Sequence, residues 1–98
     1  MNKRTFTKEE VAQILPLIKD GKATCLHSEA NYPLYGDIPD DYTFTFVVPF
    51  GNSWWKLDLK TKRAGWTVEK GEYIAEAVEA VEMRPQERAV KVIDWVEV

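Results

Sequence analysis

One cysteine and one histidine, Cys25 and His27, are all that this chain of 98 residues offers of the two side chains most often used for metal binding and nucleophilic catalysis. A lone cysteine closes no internal disulfide, so the fold has to stand on packing, as it does in chains of the reducing cytoplasm, which is the expected location. Zinc needs three or four ligands, and no paired Cys or His spacing supplies them. On a strand, residues two apart sit about 6–7 Å from each other, beyond hydrogen-bond reach for a Cys-His nucleophile pair. Neither a metal site nor an active site is therefore expected at Cys25 and His27.

Glycine is also scarce, at five residues. No glycine-rich phosphate loop, nucleophile elbow or HExxH helix is present. Asp37, Asp40 and Asp41 lack the regular spacing and closing glutamate of a calcium loop. These absences lower the case for an enzyme, and a non-enzymatic protein without a cofactor is the expectation.

Long apolar runs are missing too. The longest, Phe46 to Phe50, is far too short to span a bilayer, and no apolar segment follows the basic residues of MNKRTFTKEE as a signal peptide would require. No membrane association is expected. An excess of positive charge is equally absent: the net charge is −3 and the pI near 5.1, which makes duplex nucleic acid an unlikely partner.

What is present is globular. Hydrophobic residues make up 45% of the chain and aromatics 12%, enough for one domain spanning residues 1–98. Thr7 and Glu10 form a capping-box pattern with Phe6 and Val11 placed as a hydrophobic staple, so a helix is expected from Thr7. Val11, Ile14, Leu15 and Ile18 recur at helical spacing up to Gly21. Pro16, inside that pattern, predicts a kink. Residues 22–29 read as a first strand. ANYPLYGDIPDDY, residues 30–42, reads as a long loop of the kind that is often functional.

TFTFVVPF, residues 43–50, and the stretch from Trp54 to Thr61 alternate with period two around the turn residues Gly51 to Ser53, and residues 66–68 would complete a three-stranded antiparallel meander. The pleat places Trp55, Leu57 and Leu59 on a core face and leaves Trp54, Lys56, Asp58 and Lys60 on the other. From Gly71, EYIAEAVEAVEMR fits a second helix, with Ile74, Ala77, Val78 and Val81 on one face and Glu72, Glu76, Glu79 and Glu82 mostly away from it. Pro85 would end it. Residues 89–98 are β-branched enough for a last strand, with Val90, Val92, Val96 and Val98 facing the core, and Ile93 and Trp95 facing a further covering element. The expected architecture is an α+β domain, a mostly antiparallel sheet of four to five strands with two helices, in the order α-β-β-β-β-α-β.

Two features point toward binding. Residues 72–82 carry Glu72, Glu76, Glu79 and Glu82 with no Lys or Arg, and residues 23–45 carry Glu29, Asp37, Asp40 and Asp41, again without a basic residue. A row of carboxylates together with Tyr32, Tyr35 and Asp37 of the loop would suit a protein partner with a basic surface. The alternative is a small-ligand or nucleotide site built from Trp54, Lys56, Lys60, Lys62, Arg63 and Trp66, in which a base stacks on indole and phosphate meets the cations. An exposed sheet edge would also allow a homodimer. Size, acidity, aromatic content and the IDWVEV terminus would suit an inhibitor of phage or bacterial origin, but these are general features and no family motif is present. The leading expectation is a small acidic interaction module that binds another protein.

Overall fold

A computed structural model of the chain describes residues 2–62, 72–87 and 93–98. Its elements, in chain order, are β1 (Lys3–Phe6), α1 (Lys8–Lys19), β2 (Thr24–Asn31), β3 (Asp41–Phe50), β4 (Ser53–Lys60), β5 (Val78–Glu87) and β6 (Ile93–Glu97). All six strands belong to one sheet with the path β1-β5-β4-β3-β2, and β6 pairs with β5 off that path. Every pairing among the described residues is antiparallel.

The helix forms where the capping box predicts. Thr7 accepts from the Glu10 backbone N–H at 3.2 Å, and the Glu10 carboxylate accepts from the Thr7 N–H at 3.0 Å. Two of the four orphan donors of the first turn are thereby satisfied. Val11, Ile14 and Ile18 are its buried stripe. The helix continues through Pro16 as far as Lys19. The β3–β4 hairpin turns on Gly51 and Asn52, with Gly51 at φ 64°, a left-handed backbone that favours glycine.

Two expectations are overturned. Among the described residues there is one helix, not two, and the sheet has six strands rather than four or five. The glutamate-bearing segment expected to be helical is instead irregular over residues 72–77 and becomes β5 from Val78. The reason lies in its two-sidedness. Val78 and Ala80 pack toward α1, while Val81 and Met83 face the opposite side of the sheet, and Ala80 and Met83 are both buried. A strand buried on both faces shows no clean alternation, so its apolar residues also satisfy a helical period. Pro85 lies within β5, opposite Trp95. β1, which precedes the helix, has no signature in the sequence, because four residues are too few for a periodic signal. The expected strand at residues 66–68 lies outside the described residues, as do Val90 and Val92.

β5 is the spine of one half of the sheet. Along one edge it pairs with β4, and along the other it pairs with β1 over Val78–Val81 and with β6 over Met83–Glu87. β1 and β6 therefore lie in line on the same edge. They meet at Glu82, whose backbone N–H donates to the Asn2 carbonyl at 2.8 Å and whose carbonyl accepts from the Val98 N–H at 3.0 Å.

The core lies between α1 and the inner sheet face, built from Phe6, Val11, Ile14, Ile18, Phe44, Phe46, Val48, Leu57, Leu59, Tyr73 and Ala80. Aromatic contacts run through it, with Phe44 and Phe46 stacked at 5.9 Å and both edge-on to Tyr73. At its margin the Arg4 guanidinium lies over the rings of Phe6, Phe50 and Trp55 at 4.7, 5.1 and 5.6 Å and pairs with Glu10. That arrangement ties the helix start to the sheet through cation-π attraction and one ion pair. No helix among the described residues is long and apolar enough to cross a membrane.

Phe6 is fully buried, whereas Thr5, its neighbour on the other face of β1, is exposed. Phe6→Ala is expected to cost about 3–5 kcal/mol in chemical denaturation, and Thr5→Ala to stay within about 0.5 kcal/mol. Similar losses for both would contradict the assigned facing of β1.

Candidate functional site

The β2–β3 connection is the most distinctive surface of the molecule. Its base is tightly closed. The Asp40 N–H donates to the Asn31 carbonyl at 2.8 Å, and the Asn31 side-chain amide donates to Asp41 Oδ1 at 2.6 Å and to Thr43 Oγ1 at 2.9 Å. Between these anchors, residues 32–40 display apolar side chains to solvent: Tyr32 is 60% exposed, Leu34 87%, Tyr35 94% and Ile38 78%. The loop's path is constrained at Gly36, where a Cβ would meet the Pro33 ring at 2.6 Å. Pro33 and Pro39 further limit the backbone. Its acidic residues, Asp37 and Asp40, are exposed as well. Isolated surface apolar residues are ordinary, but four on one short, anchored loop make a patch of the kind that marks an interaction site.

The glutamates that a helix would have aligned are dispersed by the strand. Glu79 is on the outer face and pairs with Lys3 at 3.3 Å. Glu82 points to the inner face beside Trp55, where Asn2 Nδ2 and Ser53 Oγ each donate to its carboxylate at 2.7 Å. These two hydrogen bonds hold the Glu82 carboxyl below its ordinary value of 4.5. Glu72 and Glu76 are exposed on the irregular segment ahead of β5. No single row of carboxylates is formed, because strand neighbours point to opposite faces.

The aromatic and basic set is likewise divided. Trp54 is half-buried on the outer face, its ring 4.9 Å from that of Trp95 and tilted by 53°. Lys56, on the same face, pairs with Glu97 at 3.5 Å. Trp95, rather than a second helix, is therefore what shelters Trp54. Ile93, Trp95's neighbour on that face, is 56% exposed. Lys60 is exposed opposite Thr43. Lys62 lies elsewhere, lining a cavity next to α1. Arg63 and Trp66 lie outside the described residues. The set thus does not converge on one pocket among the residues described.

Cys25 and His27 flank a β-bulge on the edge strand β2, and both are exposed. The Cys25 thiol donates to the His27 carbonyl at 3.5 Å. Among the described residues no group of three or more His, Cys, Asp and Glu is placed to hold a metal ion.

Leu34 and Ile38 were not singled out in the sequence, although an apolar residue inside a Pro-, Gly- and Asp-rich loop is itself a signal. Comparison with known protein families, curated proteins and solved structures finds no match to this chain. The site is therefore read from its geometry alone.

Two expectations are measurable at once. Two indoles held 4.9 Å apart at a tilt couple electronically, so circular dichroism should show an exciton couplet that disappears in both Trp54→Phe and Trp95→Phe; its persistence in either would mean a different indole pair. The depressed Glu82 pKa contributes stability that is fully present above the ordinary value of 4.5 and is lost as pH falls through the lower folded value. Glu82→Gln keeps the shape and removes the titration. Its melting temperature should accordingly fall less steeply on acidification than that of the parent, and identical acid slopes would show that Glu82 adds nothing to the acid sensitivity.

Proposed function

We propose that the protein is a non-enzymatic interaction module that docks on another protein through the β2–β3 loop. The observation that carries this reading is the exposure of Tyr32, Leu34, Tyr35 and Ile38 together on a loop whose base is pinned by Asn31. An anchored loop loses little conformational entropy on binding, so burial of its side chains goes more fully into affinity. Tyrosine is a frequent centre of binding energy, since it buries a large ring and keeps a polar tip.

The charge around the loop defines the partner's surface. Between Lys22 and Lys56 the chain has no Lys or Arg, while Glu29, Asp37, Asp40 and Asp41 fall in that interval. The complementary surface is basic, with apolar recesses that take the loop's side chains. Glu72 and Glu76 add negative charge at the same end of the sheet, where residues 60–62 pair with 72–74 next to the loop base. Electrostatic attraction of this kind speeds encounter, and the apolar contacts set the lifetime.

The test is a binding assay with a triple loop variant, Leu34→Ser, Tyr35→Ser and Ile38→Ser, none of which touches the core. A partner retained from native lysate and then purified should bind this variant at least roughly tenfold more weakly at unchanged melting temperature. Asp37→Asn with Asp40→Asn should slow association chiefly at low salt. Equal affinity of the parent and the triple variant for that partner would exclude the loop as the docking element.

A further inference from the structure

β4 and the chain leading into β5 do not stay paired along their length. Lys56 stands opposite Val81, and Thr61 stands opposite Tyr73. Between those two pairs β4 runs through residues 57–60, whereas the facing chain runs through 74–80, three residues more. The surplus is displaced out of the ladder, as in an enlarged β-bulge. It opens a cavity of about 740 Å³ between itself and α1, lined by Leu15 and Lys8 of the helix, by Tyr73, Ala75 and Ala77, and by Lys62.

The volume falls within the range of about 300–1,000 Å³ typical of small-ligand sites. The walls are largely apolar: Leu15 and Ala75 pack against the core, and Tyr73 is only 5% exposed. The charged groups are unevenly set. Lys3, Arg4 and Lys56 have carboxylate partners, whereas neither Lys8 nor Lys62 makes an ion pair among the described residues. One comes from the first helical position and the other from just beyond β4, and both line this cavity. Glu76, also on the lining and exposed, offsets one of the two charges, so the described part of the lining carries a net single positive charge. The helix N-terminus is not the anion receptor, because its capping box is already closed by Thr7 and Glu10.

We infer that this cavity is a binding site for a small amphipathic monoanion: a flat apolar body seated against Leu15, Tyr73 and Ala75, with a carboxylate or sulfonate held between the Lys8 and Lys62 ammonium groups. Apolar burial supplies most of the affinity, and the paired cations supply selection for the charged form. The site lies outside the β2–β3 loop and shares only Glu76 with the acidic surface proposed above, and its occupancy does not depend on a protein partner.

The dye anilinonaphthalene sulfonate has this chemistry, an aromatic body with one sulfonate, and its fluorescence rises on entering an apolar site. It should bind the folded protein and be displaced by benzoate but not by benzyl alcohol at equal concentration. Lys8→Glu combined with Lys62→Glu should weaken dye binding at least roughly tenfold. Ala77→Phe, which fills the cavity from an exposed position, should do the same by a different route. Near-UV circular dichroism of both variants should match the parent, and the triple loop variant should bind the dye normally. Absence of dye binding to the parent, unchanged binding in the two cavity variants, loss of binding in the loop variant, or equal displacement by benzyl alcohol would each overturn the assignment.

Discussion

Glu82 ties the sheet together where, among the described residues, β1, β4, β5 and β6 come together. Its backbone joins β5 to both Asn2 and Val98, its side chain accepts from Asn2 and from Ser53 at the start of β4, and Trp55 stands opposite it in the ladder. A half-buried carboxylate with two donors has its charge satisfied where an unpaired one would be costly. Through this node, two short strands remote from each other in sequence act as one edge. Neither β1, with four residues, nor β6, with five, would be stable as an isolated ribbon.

The placing of β5 as a strand shapes the rest of the architecture. β5 carries apolar residues on both faces, so each face has to be sheltered. α1 covers the inner one, its start held to the sheet by Arg4 over three aromatic rings. Among the described residues, shelter on the outer face comes from within the sheet itself: Trp54 leans on Trp95, and Lys56 lies opposite buried Val47 with its ammonium drawn toward Glu97. A lysine stem covers apolar surface well while its head stays in water. The adjacent tryptophans of β4 thus have different work, one in the core and one closing the outer face.

The same strand explains both surfaces of functional interest. Because β5 cannot track β4 without a surplus of three residues, the chain buckles beside α1 and leaves a cavity reached by two lysines that make no ion pair among the described residues. At the same end of the sheet, the Asn31 hydrogen bonds close a loop that holds Leu34, Tyr35 and Ile38 out in solvent. The sheet supplies rigid supports, and the irregular connections between strands carry the groups available for binding.

Local rules were enough for the elements whose signals are local. The capping box and helical spacing located α1, period-two alternation located β3 and β4 and set Trp55, Leu57 and Leu59 inward, and the cluster of Pro, Gly and Asp located the loop that exposes Tyr32 and Tyr35. Nothing local distinguishes a helix from a doubly buried strand in VEAVEM, since apolar residues three apart, neighbours on one helix face, fall on the two opposite faces of a strand. Tertiary structure decided that choice by offering β4 an antiparallel partner and Glu82 its donors. The dispersal of the glutamates, the pairing of Trp54 with Trp95, and the placing of Lys8 and Lys62 on the lining of one cavity were decided by the tertiary structure as well. Each of these joins residues far apart in the chain, and such contacts exist only once strand order and register are set.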